Sequence, residues 1–225
     1  MERNMFQLID LDRTLFDTSR FARAITDEIN VTEPGVGTKL DEMYEAAYKN
    51  EETFFLMRYL REKHGDTWLE ELVERAVENI GAATLLLPGA RERLSIANSV
   101  TSYRPSWGIL TYGDDVDQRM KIRLIGLEDA PLFLTSTPDK APIIQSWQKP
   151  DGTFQLPTEF GGGVVDSLTF EDDKLRAFVG LSSNVTGFWV TQDIHAEERL
   201  VELKTTGGSI TPVKNLSEVV KKLTQ

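Results

Sequence analysis

Asp10-Leu11-Asp12-Arg13-Thr14-Leu15 sets two carboxylates two residues apart, directly after the short apolar run Met5-Phe6-Gln7-Leu8-Ile9. Side chains at i and i+2 of an extended segment share a face, so the two acids can converge. Converging carboxylates repel, which leaves two solutions: a cation between them, or a proton held by one of them, which then serves as a general acid. The chain holds 36 acidic residues in 225, so roughly 6 acid-x-acid triplets arise by chance and position matters more than pattern. Taken alone, the triplet could also be a solvated turn that caps the next segment.

A second acidic cluster, Glu171-Asp172-Asp173, follows Leu168-Thr169-Phe170. Oxygen ligands from two strand ends suit a hard divalent cation such as Mg²⁺, which keeps waters and shares its shell with phosphate. Asp173 would also suit the N-cap of a helix expected over residues 174–181. Thr111-Tyr112-Gly113, before a helical pattern, offers a hydroxyl and then backbone N–H groups at a glycine turn, a plausible anion cradle. Lys140 begins another helical pattern, where a cation opposes the helix dipole; an anionic ligand or a neighbouring acid would supply a reason for it. Lys121 lies in the middle of its helical pattern and is the weaker choice.

These residues need a frame. Short apolar segments at Met5–Ile9, Ser106–Leu110, Leu132–Leu134, Val164–Phe170 and Gly187–Thr191 read as strands. Helical spacing fills Ala90–Ala97, Val116–Ile125, Lys140–Trp147, Lys174–Leu181 and Leu216–Leu223 between or after them. Alternation of this kind predicts an α/β fold, with an open Rossmann-like parallel sheet and flanking helices. Ligand sites of such sheets gather beyond the carboxyl ends of the strands, where Asp10, Asp12, Thr111, Glu171 and Asp172 all fall. Residues 18–87 break the rhythm with helical spacing alone and read as an inserted all-helical domain, leaving residues 1–17 and 88–225 as the α/β domain. Gln148–Gly163 carries turn signals, Asp151-Gly152 and Gly161-Gly162-Gly163, that fit either a short hairpin or a mobile loop.

Composition narrows the function. The chain has a net charge of −11, which disfavours a nucleic-acid groove or an anionic membrane, since both need a basic face. No Cys is present, so disulfides, thiolate metal sites and a Cys nucleophile are excluded. The two histidines, His64 and His195, lack zinc-ligand spacing. No apolar run approaches the ~20 residues of a membrane span. The opening residues lack the long apolar core of a signal peptide, so the expectation is a cytoplasmic monomer.

Together the four clusters resemble the motifs of the haloacid dehalogenase superfamily of phosphohydrolases. Asp10-Leu11-Asp12-Arg13-Thr14-Leu15 is similar to its first motif, Thr111 to its second, Lys140 to its third, and Glu171-Asp172 to the acidic pair of its fourth. The helical insertion falls where a helical cap of that family lies. The resemblance implies Asp10 as nucleophile and Asp12 as acid/base. It implies Thr111, Tyr112, Gly113 and Lys140 around the substrate phosphate, and Mg²⁺ held by Asp10, Asp12 (through its carbonyl), Glu171 and Asp172. The implied activity is Mg²⁺-dependent hydrolysis of a small phosphate ester through an aspartyl-phosphate. A phosphomutase or other phosphotransferase, a receiver-like module, or a non-catalytic phosphate-binding protein are the alternatives. Arg13 departs from the pattern, standing where Gly, Asp or Asn is usual; it would add a phosphate-facing cation or narrow the entrance.

Overall fold

The computed structural model describes residues 4–50, 52–99, 105–202 and 208–224. The first three residues of the chain therefore lie outside the described part. In chain order the elements begin with β1 (Met5–Ile9), α1 (Thr18–Thr32), α2 (Val36–Lys49), α3 (Leu56–His64) and α4 (Asp66–Ile80). They continue with α5 (Ala90–Ser99), β2 (Trp107–Tyr112), α6 (Asp115–Leu124), β3 (Leu132–Thr135), α7 (Ala141–Ser146) and β4 (Phe154–Gln155). Last come β5 (Val164–Val165), β6 (Ser167–Asp172), β7 (Val185–Val190), α8 (Ala196–Glu202), β8 (Ser209–Val213) and α9 (Leu216–Leu223).

Six strands form one parallel sheet in the order β3-β2-β1-β6-β7-β8. The strand that carries Asp10 at its end is thus central. β1 matches β2 in register at Ile9↔Ile109 and β6 at Ile9↔Glu171, so the carboxyl ends of three strands stand side by side. Alternation gives the sheet two unlike faces. Phe6, Leu8, Leu110, Leu168 and Phe170 turn to one side and join a core with Ile144, Phe160 and Phe178. Gln7 and Glu171, on the other side, meet α5: Gln7 Nε2 donates to the Ala97 carbonyl at 3.2 Å, and Arg93 pairs with Glu171.

Several elements differ from expectation. The strand expected over 164–170 is two strands broken at Asp166, whose N–H donates to Asn4 O (2.7 Å) while its carboxylate accepts from Asn4 N (2.9 Å). The Gln148–Gly163 segment is a hairpin, with β4 antiparallel to β5. It closes on the apolar face: Phe154 and Phe160 are fully buried, and a Cβ at Gly108 would lie 2.4 Å from the Phe160 ring, so that position of β2 admits glycine alone. The helix expected over 174–181 is a 3₁₀ turn at Leu175–Phe178, followed by Gly180 in the left-handed region. α8 and the edge strand β8 had no clear periodic signal; Pro212 in β8 is tolerated at a sheet edge.

Two compact units share the chain. One comprises Met1–Leu15, Leu87–Tyr112 and Asp129–Gln225, and holds the sheet. The other comprises Phe16–Leu86 and Gly113–Glu128, so α6 groups with the helical segment rather than with the sheet. In the helical unit α1 starts at Asp17, whose carboxylate accepts the Arg20 N–H (2.9 Å), and buries Phe21, Ile25 and Ile29 at four-residue spacing. α4 buries Leu69, Leu72, Val73 and Ala76, and Arg61 of α3 pairs with Asp114 (3.0 Å) and Asp117 (3.4 Å) at the start of α6. No helix among the described residues is long and apolar enough to cross a membrane.

Candidate active site

β1 ends at Ile9, and Asp10 is the next residue, held by its N–H donating to Glu171 O at 2.9 Å. The chain then turns through Leu11–Leu15, with Leu15 N bonded to Leu11 O at 3.0 Å. Arg13 stands in that turn at φ 61°, the one described non-glycine residue in the left-handed region. That backbone is why a glycine, asparagine or aspartate would suit the position better. Thr14, fully buried, donates its hydroxyl to Asp10 Oδ2 at 3.2 Å.

Lys140 occupies the N-cap of α7, and its Nζ donates to Asp10 Oδ1 and to Asp172 Oδ2, the latter at 2.6 Å. All three side chains are buried, with Lys140 4% exposed. The acids explain the placement of a lysine against the helix dipole. Burial alone would neutralise the amine; the two carboxylates overcome it and hold Lys140 charged well beyond the usual lysine range.

Oxygens of Asp10, Asp172 and Asp173 lie within 4.8 Å of one another. Burial, followed by the repulsion of Asp172 and Asp12, pushes the Asp10 carboxyl up to about 7 despite Lys140. Asp173 is raised well above the carboxylate range by burial and then by Asp172 and Asp10. Two buried carboxylates and a half-buried third, with one cation among them, are a donor set that fits a hard divalent ion, which would remove the repulsion. Asp172 Oδ1 accepts the Lys174 N–H at 2.7 Å, and no side chain caps the 3₁₀ turn that follows, so Asp173 does not serve as its cap.

The sequence expectation named Glu171 for the metal. The structure takes its carboxylate elsewhere: Oε1 accepts from Arg93 Nε (2.8 Å) and Nη2 (2.5 Å) on the α5 face, with both side chains fully buried. Alternation along β6 turns residue 171 away from the face that residue 172 uses, and Asp173 takes the place expected of Glu171 in the acidic trio. Asp12 is half-buried and close enough to Asp10 to raise its pKa.

Thr111 and Tyr112 are the last residues of β2, beside β1. Thr111 is fully buried, and its hydroxyl finds no hydrogen-bond partner among the described residues. Gly113 follows, and a Cβ there would meet the Gln118 amide nitrogen at 2.1 Å. Asp114 then caps α6 by accepting the Asp117 N–H at 3.3 Å. His64 stacks on Trp68 and His195 bonds Glu198, neither with a metal-ligand partner set.

Solved structures share this fold. A haloacid dehalogenase-like hydrolase from Burkholderia xenovorans LB400 superposes with a TM-score of 0.62 at 18% identity, covering 97% of this chain and 98% of that one. A HAD-hydrolase from Bacillus subtilis, YfnB, whose structure was determined bound to magnesium, gives 0.54 at 17% identity over 100% of both chains. A protein from Thermotoga maritima described as a β-phosphoglucomutase gives 0.50 at 16% identity, covering 98% and 99%. No protein-family model and no curated protein matches the sequence. The chain therefore has the fold of the haloacid dehalogenase-like hydrolases, an α/β sheet flanked by helices.

Proposed function

We propose that this protein is a Mg²⁺-dependent phosphatase of the haloacid dehalogenase superfamily that hydrolyses a small phosphorylated metabolite. The observation that carries the reading is the trio Asp10, Asp172 and Asp173 at two adjacent strand ends, with buried Lys140 bridging Asp10 and Asp172. An active site built from those residues can bind and split a phosphate monoester.

Asp10 is the nucleophile. Its carboxylate, oriented by Thr14, attacks phosphorus in line and forms an aspartyl-phosphate, so that one difficult step becomes two. Asp12 protonates the leaving oxygen, then takes the proton of the water that attacks the aspartyl-phosphate. Lys140 brings positive charge to the phosphoryl oxygens, and Thr111 offers them a hydroxyl that is free of protein partners among the described residues. Tyr112 and Gly113 complete the cradle with backbone N–H groups. Asp10, Asp172 and Asp173, with the Asp12 carbonyl, would hold Mg²⁺. When bound, it supplies charge neutralisation on a phosphoryl oxygen that no side chain matches.

The helical unit is the cap that selects the substrate. The chain leaves the sheet unit after Leu15 and returns at Leu87, whose N–H donates to Leu15 O (2.9 Å); Phe16 and Leu86 form an antiparallel bridge. The chain crosses between the two units again after Tyr112 and after Glu128. The net charge of −11 disfavours a polyanion, nucleic acid or anionic membrane as partner, which supports a small ester as the substrate.

Phosphate release from a panel of phosphorylated metabolites, with Mg²⁺ and after exhaustive chelation, tests the reading. Release from at least one ester that stops on chelation supports it; full turnover without divalent metal overturns it. Product analysis with a sugar phosphate separates hydrolysis from phosphoryl transfer.

A further inference from the structure

One fully buried ion pair has no part in the chemistry above. Arg93 of α5 donates through both Nε and Nη2 to Glu171 Oε1, and each side chain is 0% exposed. The pair lies on the face of the sheet opposite to the acidic trio, beneath the ends of β1 and β6. We infer that Arg93 is a positioning residue for the acidic site: by gripping Glu171 it fixes the end of β6 from which Asp172 and Asp173 project. This rests on the reading of those acids as a divalent-cation site.

Three observations carry it. First, residue 171 is the junction of the site. Its carbonyl accepts the Asp10 N–H at 2.9 Å, and its peptide leads directly into Asp172, whose two oxygens bond Lys140 and the Lys174 N–H. Fixing residue 171 therefore fixes both the nucleophile's main chain and the acid opposite it. Second, like charges within 4.8 Å push the strand ends apart, and Lys140 reaches only Asp10 and Asp172 by hydrogen bonds. A restraint on β6 from the opposite face adds no charge to the site's own face. Third, the pair is a poor choice for stability alone. Buried ion pairs are matched or surpassed by apolar pairs of like volume. Here Arg93 Nη1 and Glu171 Oε2 also have no hydrogen-bond partner among the described residues. The forked grip on one oxygen gives direction to a strand end, as groups behind metal ligands commonly do.

The test replaces both partners at once, Arg93→Met with Glu171→Leu, so that no lone charge is left buried and the net charge near the site is unchanged. Arg93→Lys is made alongside, keeping the charge and losing the fork. Mg²⁺ binding to the full chain is measured by isothermal titration calorimetry, and thermal unfolding is followed without metal. The expected result is a cooperatively folded double variant that binds Mg²⁺ about 10-fold to 100-fold more weakly. Arg93→Lys should fall between it and the parent. Mg²⁺ affinity equal to the parent's in whichever variant folds overturns the positioning role. A parent chain that binds no Mg²⁺ overturns instead the cation-site reading on which the role depends.

Discussion

Lys140→Met removes the side-chain cation hydrogen-bonded to Asp10 and Asp172 and leaves a side chain of similar length. Lys140 contacts Asp172 at 2.6 Å, where two unit charges at an effective dielectric near 20 attract by about 6 kcal/mol before desolvation is counted. Desolvation of the amine offsets much of this, and removing one partner of a buried pair typically costs about 3–5 kcal/mol. For a chain of this size that is a fall in Tm of about 6–20 °C. The cost should depend on pH in a set direction. Asp10 sits at about 7 with Lys140 lowering it, so in the variant it moves higher still. A carboxyl whose folded pKa lies above its unfolded value contributes stability at low pH that is lost as pH rises through the folded pKa. Below pH 7 both proteins hold the Asp10 proton. Above it only the variant keeps losing stability, by up to about 1.4 kcal/mol per pH unit. Thermal unfolding without divalent metal between pH 6 and 9 measures this, and added Mg²⁺ should recover more Tm in the variant than in the parent. A cost below about 1 kcal/mol, or one flat across that range, would refute the claim that Lys140 neutralises crowded buried carboxylates.

Two further substitutions probe neighbouring features. Asp117 is pushed up to about 6, first by burial and then by Asp114, so it favours the fold below pH 4 and loses that contribution as pH rises through 6. Asp117→Asn, which keeps an acceptor for Arg61, should gain on the parent by up to about 3 kcal/mol between pH 4 and pH 7, as read by urea unfolding; an unchanged difference speaks against it. Arg13→Asn should stabilise the chain by about 0.5–1 kcal/mol, because asparagine tolerates the left-handed backbone that Arg13 adopts at φ 61°. A loss of stability would mean that the arginine side chain contributes more than its backbone costs.

Much of the sheet was legible because its strands are short apolar runs punctuated by acids and glycines. Thr111 could be singled out as a strand-end hydroxyl before a glycine turn, and Lys140 because a lysine in a first helical turn needs a reason. The acidic pair of β6 was harder. Glu171, Asp172 and Asp173 are equivalent as composition, and only alternation across the strand decides that Glu171 turns to Arg93 while Asp172 turns to Lys140. Arg93 carried no signal, since a basic residue in a helix is ordinarily solvated and its partner lies 78 positions away. β8 was hidden by Pro212, and the helix expected after Asp173 is a 3₁₀ turn over Leu175–Phe178 that no side chain caps. α6 groups with the helical unit, and Arg61 reaches Asp114 and Asp117 at its start, a long-range pairing that periodicity does not encode.

In the proposed reaction Asp10 is the residue to which phosphate is transferred. Asp12→Asn should slow breakdown of the aspartyl-phosphate, because no base remains to activate water, while its formation from an activated aryl phosphate needs little help from an acid. Loss of a general acid or base typically costs ~10²–10⁴ in rate. Rapid-quench experiments on Asp12→Asn with ³²P-labelled aryl phosphate and Mg²⁺, followed by phosphopeptide mapping, are the most direct test. The expected result is a burst of aryl alcohol, with label on the peptide containing residue 10 and none in the Asp10→Asn background. Label on any other residue, or turnover by Asp10→Asn shown to be free of deamidation, would contradict it.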